Sequence, residues 1–232
     1  MEKSGSTASL RMQPDSSKQK QENGKQYCLS TAYLAPVEYY SLLASAENVL
    51  LEQYEFFIKQ TYRNRCTIVT ANGLMDLTIP VEKSEERKTL IKDVRISNHG
   101  NWRVNHWRSI TSAYQSSPFF EYYADDFVHL YEKDWDFLWD YNLALQNKVL
   151  ELLEIKPIIQ FTDNYFEFYG QERIDLREII HPKKSPFFQE FLPYYQVFSQ
   201  KSGFQQHLSI IDLLFNMGNE SILILKSFKA DE

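Results

Sequence analysis

The rhythm of hydrophobic and polar positions changes along the chain. Up to residue 25 the text, "MEKSGSTASLRMQPDSSKQKQENGK", holds few apolar positions. It cannot offset the entropy of ordering and reads as a flexible tail. Apolar runs set in after it. "YCLS" reads as a short strand, Pro36 opens a helix at its first turn, and an apolar-aromatic run carries that helix to Ala46. "NVLLEQYE" predicts a second strand that continues irregularly through "EFFIKQTYRN". In "CTIVTANGLMDLTIPV" two β-branched runs flank Asn72-Gly73, which predicts a hairpin closed by a type I′ turn. "LIKDVRIS" adds a further strand-like run.

From Trp102 the spacing of apolar residues becomes helical. Trp107, Ile110 and Tyr114 recur at i, i+3 and i+7, and Phe137, Leu138, Tyr141, Leu145, Val149 and Leu152 repeat the pattern after a break at Ser117-Pro118. "PIIQFTDNY" returns to strand, and "FYGQERIDLREIIHPKKSPFF" reads as loop. "HLSIIDLLFNMG" is a short helix whose Gly218 suits a C-terminal cap. The sum is an α/β or α+β chain: a mixed sheet built mostly from the N-terminal half, packed against a helical C-terminal half. Residues 26–232 are expected to form a single domain behind a disordered tail of residues 1–25.

Composition narrows the function classes. Aromatic residues make up 15% of the 232-residue chain, which favours a packed body over disorder. A formal net charge of -6 lacks the basic footprint of a general nucleic-acid binder, so nucleic acid is not an expected partner. No run of about eighteen apolar residues predicts a transmembrane helix. With two cysteines, Cys28 and Cys66, and no apolar signal segment at its start, the sequence is expected to be cytoplasmic.

Four groups of residues carry candidate chemistry. In "YRNRC", Arg63 and Arg65 are two apart, which on a strand points both guanidiniums to one face, where they can clamp a phosphate or carboxylate. The alternative is a solvated strand edge paired with Glu52 and Glu55. His106 shares a helix face with Trp102 and lies near Arg103 and Arg108. It reads either as a general base facing an anionic substrate or as a buried polar residue in a hydrogen-bond network. Trp102, Trp107, Trp135 and Trp139 can form a stacking wall for a sugar or belong to the core. Cys66 reads as a small buried hydrophobe or a nucleophile. The histidines and cysteines show no zinc spacing, so no metal site is expected. Walker, GxGxxG and GxSxG signatures are absent, and no cofactor is named by the sequence.

The blocks "STAYLAPVEYYSLL", "KQTYRNRCTIVTANGLMDLTIPVEK", "IKDVRISNHGNWRVNHWRSITSAYQSSPFFEYYADDF" and "LSIIDLLFNMG" together resemble the WbqC-like protein family over Tyr27 to about Gly218. Residues matching the family pattern are Asn64, Arg65, Trp102, His106, Ser109, Tyr114, Pro118 and Asp212. Where many members carry a pair of acids in the second strand, this chain has Gln53-Tyr54 flanked by Glu52 and Glu55. The resemblance implies a bacterial O-antigen or surface-polysaccharide context and a transferase that moves glycine or another acyl group to an amino sugar. On that reading the partners are a sugar nucleotide or amino sugar and an acyl donor or carrier. Arg65, helped by Arg63, grips a diphosphate, Trp102 and Tyr114 line the substrate, His106 takes the amine proton, and Asn64 stabilises the oxyanion. The alternative is a non-catalytic sugar-binding or assembly factor of the same pathway.

Overall fold

A computed structural model of the protein describes residues 26–46, 48–83, 88–165, 173–188, 190 and 192–228. The stretch read as a flexible tail lies outside the described residues. Strand β1 (Gln26–Ser30) leads into helix α1 (Val37–Ser45), and β2 (Asn48–Glu52) follows. The hairpin strands are β3 (Arg65–Thr70) and β4 (Gly73–Thr78). Helices α2 (Trp102–Tyr114), α3 (Phe120–Glu132) and α4 (Leu138–Leu152) come next, then β5 (Ile158–Phe161) and β6 (Arg173–Asp175). Short helices α5 (Ser199–Ser202), α6 (Ile210–Met217) and α7 (Ser221–Leu225) complete the described chain.

The α/β class is what the structure shows. Its main sheet has the order β5-β2-β1-β6 with every pairing parallel, so it draws two strands from each half of the sequence. Parallel strands that are buried between helices read as continuous apolar runs, as in "CL" and "VLL". Helix α1 shows the same logic. Val37 through Leu43 are all buried, because α1 packs against both α6 and α7. The remaining helices sit on the hairpin and on one another: α2 packs against β3 and α3, and α3 against α4 and α6. One apolar cluster joins Leu29 and Leu51 of the sheet to Ile68 of the hairpin, Tyr114 of α2, Leu145 of α4 and Phe215 of α6.

Three local expectations are corrected. The hairpin forms as expected, with Thr70 opposite Gly73, but Asn72-Gly73 is not the centre of a type I′ turn. Ala71 and Asn72 occupy the turn with negative φ, and only Gly73 takes a positive φ, of 106°. One left-handed residue is enough here, and glycine supplies it. "LIKDVRIS" forms a 3-10 turn at Ile91–Asp93 and three isolated bridges, Phe56 to Leu90, Val81 to Ile96 and Arg95 to Phe137, rather than a strand. Its buried Ile91, Val94 and Ile96 alternate too irregularly for one sheet face. The segment read as loop contains β6, whose three residues give too short a pattern to show period 2. Gly218 does end α6, at φ 56°, and a side chain there would stand 2.6 Å from the Phe119 ring.

Candidate functional site

The carboxyl ends of the parallel strands converge on a cluster of buried charge. Ser30 ends β1 directly opposite Glu52 at the end of β2, and Asp175 ends β6 on the other side. Glu52 is fully buried. Its Oε1 accepts hydrogen bonds from Thr162 Oγ1 at 2.7 Å and Tyr54 N at 2.8 Å, and its Oε2 accepts one from Arg177 Nη1 at 3.1 Å. Arg177 also forks onto Asp175, Nε to Oδ1 at 2.9 Å and Nη2 to Oδ2 at 2.6 Å. Burial pushes the Asp175 pKa up, but the fork outweighs it and holds the carboxyl below its ordinary value.

A second fork faces the first across the end of β1. Arg63 donates from Nε to Glu55 Oε1 at 2.8 Å and from Nη2 to Glu55 Oε2 at 2.6 Å, with further bonds to Ser30 Oγ at 2.9 Å and Glu178 Oε1 at 3.0 Å. Ser30 Oγ in turn donates to Glu55 Oε2 at 3.0 Å. Asn142 of α4 holds the turn by donating to the Arg63 carbonyl at 2.8 Å. Burial lifts the Glu55 pKa above the ordinary carboxylate value, and the Arg63 fork recovers only part of that shift. Such pairs are weak evidence for stability, because desolvating two charges costs about what their attraction returns.

Between these forks runs a narrow crevice lined by Ser30, Thr31, Tyr39, Arg63, Leu176 and Arg177. It lies between the ends of β1 and β6. Helix α1 leads from β1 to β2 on one side, whereas β6 pairs on the other, so the strand order reverses there. Open α/β sheets bind their ligands at such a reversal. The Thr31 hydroxyl is buried with no hydrogen-bond partner among the described residues. A polar atom in that state is a ready contact for a ligand.

The residues expected from the sequence are dispersed. Arg63 lies in the turn before β3 and is buried in its fork, while Arg65 begins β3 and bonds across the hairpin to Asp76 Oδ2 at 3.1 Å and Thr78 Oγ1 at 3.3 Å. The shared strand face, and with it the two-arginine clamp, is absent because the strand starts two residues later than that geometry needs. Asn64 donates from Nδ2 to the Ile79 carbonyl at 2.9 Å, and its Oδ1 is buried without a partner among the described residues. Tyr114 is fully buried beside Asp212 of α6. Asp212 accepts from Tyr194 Oη at 2.7 Å and Gln196 Nε2 at 3.2 Å, and burial raises its pKa to about 6.

His106 sits on the buried stripe of α2 with Trp102, Ile110, Ala113 and Tyr114. Its Nδ1 is 3.0 Å from Tyr33 Oη, which is 2.8 Å from Tyr131 Oη, and the Thr78 backbone also bonds the ring. Trp102 packs edge-on against it at 5.2 Å between centroids. Burial lowers the His106 pKa to about 4, so the ring is neutral near pH 7. His106 lines no part of the crevice. Of the four tryptophans, Trp102 and Trp139 are buried and Trp107 and Trp135 pack against the same core. Cys66 is buried as well, and burial pushes its thiol pKa up, away from a thiolate.

The sequence offered Glu52 and Glu55 as partners for surface arginines and as the acids flanking Gln53-Tyr54, and gave Ser30, Thr162, Asp175 and Arg177 no role. The available signal was a polar residue closing each of two apolar runs, at Ser30 and Glu52, while Arg173-Ile174-Asp175 of β6 carried none. Among the described residues no helix is long and apolar enough to cross a membrane. An uncharacterized protein of Mycobacterium tuberculosis (strain ATCC 25618 / H37Rv), Rv1507c, is 25% identical over 207 residues, covering 79% of this chain and 89% of its own length. No solved structure matches. The profile of the WbqC-like protein family matches residues 31–181, a span that reaches from the loop after β1 through the crevice to Arg177 and includes α2 and the hairpin: the chain belongs to the WbqC-like protein family.

Proposed function

We propose that the protein transfers an acyl or aminoacyl group to the amine of an amino sugar in surface-polysaccharide assembly, using the carboxyl edge of its parallel sheet. One observation carries this reading: at that edge Glu52, Glu55, Asp175 and Glu178 meet Arg63 and Arg177, so carboxylates outnumber guanidiniums among the described residues. An acid-rich edge attracts a protonated amine and can then accept its proton. Glu55 is the group we assign to that task, because burial has raised its proton affinity. In the step, the amine nitrogen bonds to the acyl carbonyl carbon, the bond from that carbon to the donor's leaving group breaks, and the amine proton passes to Glu55. Arg63 holds the carboxylate in place through its fork. The family resemblance supplies the glycan context, and Arg65, half-buried on the hairpin, is the guanidinium left accessible to a phosphate-bearing substrate.

A second reading, a sugar-binding or assembly factor without chemistry, is favoured by His106. The residue best suited by type to act as base is neutral and committed to core hydrogen bonds. The two readings separate in one experiment. Purified protein is heated with amino-sugar nucleotides, then incubated with acyl and aminoacyl donors while mass spectrometry follows acylated product. A ligand at a hundred times its Kd adds about 2.7 kcal/mol of stability. The transferase reading expects stabilisation, product formation, and a Glu55→Gln variant that still binds but turns over about 100-fold slower or worse. Stabilisation with no product from any donor supports the binder instead.

A further inference from the structure

We propose that a second cavity, lined by Glu38, Phe188, Tyr194, Phe204, His207 and Phe228, binds a small organic ammonium ion. It shares no lining residue with the crevice at the sheet edge and stands independently of the function proposed there. The chemistry follows from two facts about its walls. First, four of the lining side chains are aromatic, and they brace one another edge to face: Tyr194 against Phe204 at 5.3 Å, Phe188 against Phe228 at 5.4 Å. Tyr194 is further fixed by its hydroxyl bond to the buried Asp212. Rings held in this way offer electron-rich faces to a cation without having to be ordered on binding.

Second, the cavity contains a carboxylate that lacks a full complement of partners. Glu38 is 6% exposed, in the first turn of α1. Among the described residues its Oε2 accepts one hydrogen bond, from Phe187 N at 3.0 Å, and the cationic neighbour of Oε1 is His207 Nδ1 at 3.6 Å, beyond hydrogen-bond range. A desolvated carboxylate with so little compensation calls for a positive charge. His207 supplies one only when protonated, and it sits at the rim with a left-handed backbone, φ 59°, a conformation rare for a side-chain-bearing residue. A carboxylate backed by aromatic rings selects an organic ammonium over a hydrated metal ion, because the rings favour a cation whose shell is apolar. The free volume of about 30 Å³ for water-sized occupants admits a headgroup rather than a whole sugar.

Choline and methylammonium, titrated by calorimetry into the full chain in constant potassium chloride, test the site, with 3,3-dimethylbutanol as the uncharged shape mimic of choline. Saturable binding of an ammonium ion, at least about tenfold tighter than the neutral mimic, is expected. Glu38→Gln should weaken it about tenfold or more, and Phe204→Leu severalfold, while His207→Gln, which removes the competing cation, should leave it unchanged or tighter. Alanine methyl ester runs as a separate arm; its binding with the same Glu38 dependence supports the site and identifies an aminoacyl group as a source of the ammonium. Equal affinity for the neutral mimic, or ammonium binding indifferent to both Glu38→Gln and Phe204→Leu, overturns the proposal. If Glu38→Gln does not fold, the Phe204→Leu and mimic comparisons decide alone. Retained binding in Glu55→Gln keeps this result separate from the sheet-edge reading.

Discussion

Two buried polar clusters in this protein solve the same problem in opposite ways. At the carboxyl edge of the parallel sheet, Arg63 and Arg177 fork onto Glu55 and Asp175, so each carboxylate is met by a guanidinium. Under α2, His106 meets Tyr33, which in turn meets Tyr131, and the ring gives up its charge. The edge lies beside a crevice, whereas the α2 cluster is closed off by Trp102 and Tyr141. Residue type alone ranks the histidine above the glutamate as a catalytic base. Burial and the bond to Tyr33 take the ring out of that role, and the proposed reading gives the proton to Glu55, whose proton affinity burial raises.

The sharpest way to break the comparison is to remove one partner from each cluster. Arg63→Ala leaves the Glu55 carboxylate buried and unpaired, and a loss of roughly 3–5 kcal/mol in urea unfolding at pH 7 is expected. A loss below about 1 kcal/mol would mean the edge is far wetter than its burial indicates.

The α2 cluster should instead show itself through pH. His106 has its folded pKa lowered from 6.5 to about 4, so its contribution is fully present above pH 6.5 and is lost as pH falls toward 4. By linkage that loss is about 3 kcal/mol at most. Urea midpoints of wild type and His106→Gln at several pH values should converge as the pH drops through that window, and parallel curves would contradict a neutral buried ring.

Asp212 runs the other way. Its folded pKa is raised from 3.8 to about 6, so its contribution is present below pH 3.8 and is lost as pH rises to 6, again by up to about 3 kcal/mol. Asp212→Asn should therefore gain on wild type between pH 4 and 6, with the same titration as readout. The smallest effect belongs to Arg65→Ala, which deletes a half-exposed cross-strand pair with Asp76 and should cost about 0.2–1 kcal/mol. Comparing it with Arg63→Ala measures how far two arginines two positions apart differ once one lies in a turn and the other in a strand.

The sequence by itself determined much of the local structure. Pro36 before an aromatic run announced α1, the β-branched runs around Asn72-Gly73 announced the hairpin, and the stripe from Trp102 to Tyr114 announced a helix face. These signals are short-range, since each depends on backbone preference or on one element's own period. Even there the turn went to Ala71-Asn72, because the register of the two strands, not the favoured dipeptide, chose the central pair.

Tertiary structure alone decided which polar residues meet. Ser30, Glu55, Arg63 and Glu178 are distant in sequence and adjacent in space because parallel pairing sets β1 between β2 and β6 and brings their carboxyl ends level. Nothing in a strand's own residues states its neighbours, and β6, three residues long, scarcely states that it is a strand. The fate of His106 turned on the same physics. A helix periodicity says that Trp102, His106 and Tyr114 share a face. Only the packing of that face against Tyr33 and the hairpin, with water excluded, made the histidine a neutral part of the core.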